Sequence, residues 1–223
     1  MNMSFEELVR RRRATRQFLK TPLSAEQIDV VLGDAQWSPS NCNTQPWHVH
    51  VVSGETRDRL SAALLRDEEE SVHSLDFSFD TGAYEGVYAQ RHQAMAKARN
   101  DAAGISRADH EARRQDMRRN LDFYGAPHVA LLFMPAIGDS VRTASDIGMY
   151  AQTLLLSLVA HGFAGVPQTV LGFYADRVRE VLGVADDFKL LFGISFGHAD
   201  PDAPEQMIDV GRAAPGDSVV FHP

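Results

Sequence analysis

Residues 143–161 constrain this chain more than any other segment. Ile147, Tyr150, Ala151, Leu154, Leu155, Leu158 and Val159 recur at helical spacing so densely that little polar surface is left. A helix apolar nearly all round has to be enclosed by other elements, so the core is expected to form around it. At 223 residues the chain is long enough to bury such a core without staples, and its single cysteine, Cys42, leaves no internal disulfide to supply one. The apolar run near Leu154–Ala160 is interrupted by Ser157 and is too short to span a bilayer. The first residues carry no apolar signal core. A cytoplasmic protein is expected.

Helices and strands interleave around that segment. Ser4–Glu7 and Ser24–Gln27 are capping-box patterns; the first opens a short helix ending near Arg10–Arg13, the second a helix carrying Ile28, Val31, Leu32 and Ala35. Pro39 and the polar stretch Ser40–Gln45 break that helix into a loop. Trp47–Val52 alternates as a strand, Glu55–Glu70 reads as a helix with a solvated acidic end, and 71–85 as a loop. Residues 86–123 are rich in Ala, Arg, Gln and Met and predict one or two helices broken near Gly104. Val129–Met134 is a continuous apolar run, a buried strand. Gly162 ends the central helix, Phe163–Val166 is a short strand, Asp176–Leu182 a helix closed by Gly183, and Lys189–Phe196 an apolar strand. From about residue 198 the chain has prolines and no period, an extended tail. Few strands and many helices predict a single α+β domain over 1–223, a sandwich with a small central sheet flanked by helices.

A net charge of −8 argues against a general affinity for nucleic acid or anionic membrane. It also means that any phosphate site must be built from local arginines. Arg12, Arg13 and Arg16 follow the first helix; their planar donor forks match phosphate oxygens, or else they satisfy the last helix carbonyls. Ser38–Trp47 is dense in neutral donors and acceptors, suited to reading a heterocycle, or else a capped turn. Gly165–Gly172 carries Pro167, Gln168 and Thr169 where a strand opens into a loop and leaves backbone N–H groups for a ligand, or else connects strand to helix. Gly211-Arg212 stands in the tail, returning to the same anion or simply solvated.

The order and separation of these pieces carry more than any one of them. An Arg-Arg-x-x-Arg-x-Phe start at Arg12, the Pro39–Trp47 loop with Asn43-Thr44-Gln45-Pro46-Trp47, a buried helix at Asp146–Gly162, the Val166-Pro167-Gln168 strand end and a late Arg212 together resemble the nitroreductase family of flavoproteins, from about residue 5 to about 215. The resemblance implies a nitroreductase-like α/β sandwich in an intertwined homodimer, with FMN at the interface. It places Arg12, Arg13, Gly211 and Arg212 at the FMN phosphate, and Arg16 at the ribityl chain and pyrimidine edge. Asn43 reaches the pyrimidine side from the same subunit, while Pro39, Ser40 and Asn41 come from the partner. Pro167, Gln168 and Thr169 lie along the other face, with a backbone N–H near Thr169 at the flavin N5. Ala14 stands where many members have a phosphate-binding serine.

The implied activity is a ping-pong transfer of hydride from NADH or NADPH through flavin to an electron-poor acceptor such as a nitroaromatic or quinone. A cation at Arg16 would stabilise the negative charge of reduced flavin. The variable segment at about 71–124 is expected to shape the acceptor pocket through Tyr84, Tyr88, Phe123 and Tyr124, with Arg91 orienting a carboxylate; core packing is the alternative for each aromatic. Reductive dehalogenation, ring-forming dehydrogenation and flavin binding without turnover are the competing readings. His48 and His50 share a strand face with no evident third ligand, so no metal site is expected. No Gly-x-Gly-x-x-Gly or P-loop occurs.

Overall fold

A computed structural model describes residues 3–106, 108–203, 208 and 210–222. Four strands form one antiparallel sheet in the order β1-β2-β4-β3, with β1 His48–Ser53, β2 His128–Pro135, β3 Ala164–Gln168 and β4 Phe188–Gly197. Side chains of a strand alternate between faces. On β2, Val129, Leu131 and Phe133 join one apolar cluster, and Ala130, Leu132 and Met134 the other. All six are buried, which is why the sequence shows an unbroken apolar run there and not alternation.

Helices cover both faces. Helix α6, Val141–Ala160, packs on one with α2, Ala25–Ala35; Ile147, Tyr150, Leu154 and Leu158 meet Ala130, Leu132 and Ile194 there. Burial pushes the Tyr150 hydroxyl up to about 12. The central helix is not enclosed all round. Val141, Ser145, Gly148 and Gln152 form an exposed stripe at helical spacing. On the opposite face lie α3, Gly54–Glu69, α5, His110–Leu121, and α7, Ala175–Leu182. The segment 86–123 forms two helices, α4 at Gly86–Ala102 and then α5, with Gly104 in the left-handed region between them. Among the described residues no helix is long and apolar enough to cross a membrane.

Local chemistry sets the boundaries. Both capping boxes form: Ser4 with Glu7 ahead of α1, Phe5–Arg11, and Ser24 with Gln27 ahead of α2. Gly183 at φ +67° ends α7. Gly172 lets the turn Thr169–Phe173 lie on β4, since a Cβ there would meet the Leu191 carbonyl oxygen at 2.9 Å. One expectation fails at the end of α3. Asp67 is not solvated but 3% exposed, and Arg177 donates to both its oxygens at 2.9 Å. Glu68 accepts from the Tyr174 hydroxyl at 2.5 Å, so this acidic run ties α3 to α7.

Candidate cofactor site

The site starts where α1 ends. Arg12 leaves the helical region at φ −59°, ψ 114°, and the chain runs on extended. Ala14 bridges Gly165 of β3 in parallel, and the Thr15 N–H donates to the Gly165 carbonyl at 3.3 Å. Phe18 bridges Ala199, the Leu19 N–H donates to the His198 carbonyl at 2.9 Å, and Gln17 donates to Asp200 at 2.8 Å. The N-terminal arm is thus fixed to the edge of the sheet and to the chain that follows β4.

This arm lines a cavity of about 160 Å³ with Arg12, Arg13, Ala14 and Arg16, closed by Met95 and Arg99 of α4 and by Val210 and Arg212 of the tail. Two clefts open beside it. One adds Val9, Gln152, Leu155, Pro167 and Gly211 to Arg12, Arg13 and Arg212; the other sets Arg91 beside Met95, Gly211 and Arg212. The structure therefore brings together Arg12, Arg13, Ala14, Arg16, Arg91, Pro167, Gly211 and Arg212, from parts of the chain some 200 residues apart. None of the described residues lining the central cavity is a carboxylate. Burial lowers the Arg12 pKa, and the neighbouring charges of Arg212 and Arg13 lower it further. Arginine stays charged in proteins, so this gathering stores repulsion that a bound polyanion relieves. A phosphate fits that chemistry. Thr15 is buried and does not line the cavity, so it does not replace the hydroxyl that Ala14 lacks.

The loop after α2 is held to the central helix. Ser38 donates to the Ala35 carbonyl at 2.7 Å and lies 2.8 Å from Thr153 Oγ1, and the Asn41 N–H donates to the buried Asp146 at 3.0 Å. Cys42, Asn43 and Gln45 all have φ near +50°, a conformation rare in non-glycine residues and concentrated at functional sites. Ser40 Oγ accepts from the Gln45 N–H at 2.9 Å and closes the loop. Pro39, Ser40, Asn41 and Asn43 line none of the three clefts, and all but the half-buried Ser40 are exposed.

At the end of β3 the three residues separate. Pro167 and Thr169 are exposed, and Pro167 lines the cleft. The Gln168 side chain points the other way. It is 3% exposed, accepts from the Ser195 hydroxyl and donates to the Asn120 carbonyl at 2.9 Å. A strand puts consecutive side chains on opposite faces, so Gln168 offers a ligand only its backbone.

The variable segment also departs from expectation. Phe123 is wholly buried beneath Arg57, whose guanidinium carbon lies 5.1 Å from the ring centroid. Tyr124 is 5% exposed. Neither ring can stack on an acceptor, because the turn Phe123–Gly125 carries both into the core cluster. Tyr84 and Tyr88 are exposed, at 45% and 66%. Sequence reasoning missed Gln152, Met95 and Arg99. Gln152 had a signal, a polar position inside the apolar run of α6; Met95 and Arg99 sit in a helix with no marked apolar face and had none.

A four-stranded antiparallel sheet between helical layers, with an arginine-lined cleft at its edge and a strained polar loop on its central helix, defines a cofactor-binding α+β protein. The nitroreductase family pattern matches residues 9–198. Nitroreductase NfnB of Mycolicibacterium smegmatis is 43% identical over 216 residues, 97% of this chain and 92% of that one. A 4-nitrobenzoate reductase of Pseudomonas putida is 33% identical, over 93% of this chain and 91% of its own. The crystal structure of the FMN-dependent nitroreductase NfnB from Mycobacterium smegmatis in complex with NADPH superposes with a TM-score of 0.94 at 42% identity, covering 98% of this chain and 97% of that one. The chain belongs to the nitroreductase family.

Proposed function

We propose that this chain is an FMN-dependent oxidoreductase that passes hydride from NADPH or NADH to a nitroaromatic or quinone, working as a homodimer. The observation that carries the reading is the gathering of Arg12, Arg13 and Arg212 around a partly buried cavity lined by no described carboxylate. Membership of a family whose relatives include an FMN-dependent, NADPH-complexed nitroreductase and a nitrobenzoate reductase supports it.

When bound, FMN supplies the two-electron chemistry, and the protein supplies orientation and electrostatics. Arg12, Arg13, Gly211 and Arg212 would hold the phosphate, with Ala14 as an apolar floor. Arg16 and Asn43 would face the pyrimidine side, and Arg16 would favour the form carrying more negative charge. The backbone from Pro167 to Thr169 would run along one face of the ring, where the Thr169 N–H would be available to N5. Pro39, Ser40 and Asn41 cover the ring from the partner subunit. Tyr84 and Tyr88 border the acceptor, and Arg91, beside Arg212, orients one that carries a carboxylate. Donor and acceptor take the same place in turn, which gives ping-pong kinetics. Dependence on NAD(P)H fits a cytoplasmic enzyme.

The test is an absorption spectrum of the purified protein. Two flavin bands that bleach anaerobically with NADPH or NADH and return with 4-nitrobenzoate are expected. A colourless protein that neither binds added FMN nor oxidises either donor would overturn the reading.

A further inference from the structure

We infer that Arg99 is a further cofactor-binding residue: the unpaired nitrogens of its guanidinium donate to the FMN phosphate and supply the contact that the side chain of Ala14 lacks. The inference rests on the proposed placing of that phosphate among Arg12, Arg13 and Arg212.

Helix α4 carries Arg91, Met95 and Arg99 at successive i, i+4 positions, so the three stand on one face. That face is turned to the arginine clefts. Met95 and Arg99 line the central cavity with Arg12, Arg13, Ala14 and Arg212, and Arg91 and Met95 line the cleft beside it. No residue of α4 is buried, so packing into a core does not explain why this helix lies here. What it sets against the cavity is a cation, in a lining that holds no described carboxylate.

Arg99 is anchored through one nitrogen. Its Nη2 donates to Asp116 Oδ2 and, at 3.2 Å, to the Tyr124 hydroxyl. Both anchors are buried. A tyrosine hydroxyl has one proton to give, and this one goes to Asn120 Oδ1 at 2.7 Å, which leaves its lone pairs for Arg99. Asp116 and Asn120 stand four residues apart on α5, so a single helix face fixes where the guanidinium sits. Asp116 also pairs with Arg119 at 3.5 Å. Arg99 therefore enters the cavity wall already paired with a carboxylate, and adds donors to the cluster of Arg12, Arg13 and Arg212 without adding a full uncompensated charge.

The other two nitrogens have no partner among the described residues. Nε is buried and makes no hydrogen bond; the bonds of this guanidinium all leave from Nη2. A buried donor without an acceptor is costly and rare in native proteins, and a bound ion is one of the ways in which it is satisfied. A phosphate suits the requirement, because its oxygens match the planar donors of a guanidinium. It is also the group of FMN that stays anionic in both redox states, while Arg16 serves the pyrimidine side. Ala14 lines the same cavity and offers no hydroxyl, so the phosphate has an oxygen to spare for Arg99.

The test compares FMN with riboflavin, the same flavin without its phosphate, by fluorescence titration of the full chain. In Arg99→Lys the ammonium keeps the charge and the Asp116 pair, but nothing replaces Nε and Nη1. The preference for FMN over riboflavin should fall about threefold or more in Arg99→Lys and about tenfold or more in Arg99→Gln. Riboflavin affinity should be nearly unchanged in both. If Arg99→Gln, which loses the ion pair, does not fold, Arg99→Lys decides alone. A preference equal to that of the wild type, or equal weakening of both flavins, would make Arg99 a brace between α4 and α5 and overturn the inference. Wild-type protein that binds neither flavin, or binds FMN no better than riboflavin, would instead overturn the placing of the phosphate on which it rests.

Discussion

The Arg12 guanidinium is held, partly buried, beside Arg212 and Arg13, an arrangement unfavourable in the free chain. Replacing Arg12 and Arg212 with alanine removes two charge-assisted contacts to phosphate, each worth about 1.5–3 kcal/mol. FMN binding should weaken at least tenfold for each, read by fluorescence titration. Unchanged affinity in the double variant would move the phosphate elsewhere. Ala14→Ser works in the opposite direction. One net neutral hydrogen bond is worth about 0.5–1.5 kcal/mol, so restoring the hydroxyl should tighten FMN binding roughly threefold to tenfold. These positions were legible because their order and spacing along the chain are family-specific. Phe123 and Tyr124 were not. An aromatic residue suits a core as well as a pocket, and nothing in the sequence announces two left-handed residues in a row. Tyr124 meets the site only through Arg99, which lines the cavity and donates to the Tyr124 hydroxyl at 3.2 Å, a contact that exists only once the chain has folded.

Elements were more legible than contacts between them. Capping boxes, glycine stops and the apolar run of β2 mark helices and strands from local physics alone. The burial of Asp67 and Asp76 depends on arginines more than one hundred residues away, and no local pattern carries it. Arg179 donates to both oxygens of Asp76, and both side chains are less than one-tenth exposed. Asp76 also accepts from the Leu190 N–H at 2.8 Å, so it pins the loop before α4 to α7 and β4. Asp76→Ala leaves Arg179 buried with fewer partners, at a cost of about 3 kcal/mol on chemical denaturation. A loss well under 1 kcal/mol would show the loop to be dispensable for stability. His128 joins three elements. Its Nε2 accepts from the Leu23 N–H at 2.8 Å, which leaves the proton on Nδ1, 2.5 Å from Ser53 Oγ. Burial first, and the charge of His198 second, lower its pKa from 6.5. The unfolded chain therefore takes up a proton that the folded one refuses. Stability from this group is present above pH 6.5 and is lost as pH falls below it, down to the folded value. The His50 pKa is lowered in the same way, by burial and by His48. Melting temperature should fall on mild acidification, with a shallower slope in His128→Gln; an unchanged slope would mean that His128 does not carry the effect.

On the scale of the whole molecule the single chain leaves large apolar groups in water. Trp37 is 89% exposed at the end of α2, Phe5 74% on α1, and Val220 and Phe221 76% and 87% in the tail. The stripe Val141–Gln152 on the central helix is open as well, and its last member lines the cofactor cleft. A second copy covering these groups would also bring its Pro39, Ser40 and Asn41 to the site, which is why dimerisation and FMN retention are expected to fall together. A tryptophan central to an interface contributes about 2 kcal/mol or more, so if the proposed dimer buries Trp37, Trp37→Ser should weaken it at least thirtyfold, measured by sedimentation equilibrium. FMN should leave the variant as it is diluted through its dimer dissociation range, while added FMN should shift the equilibrium back towards dimer by the same linkage. A Trp37→Ser monomer that keeps FMN at full affinity would show that one chain completes the site. The strained Cys42–Gln45 loop would then need another explanation, and the arginine cleft would stand as a self-sufficient phosphate site.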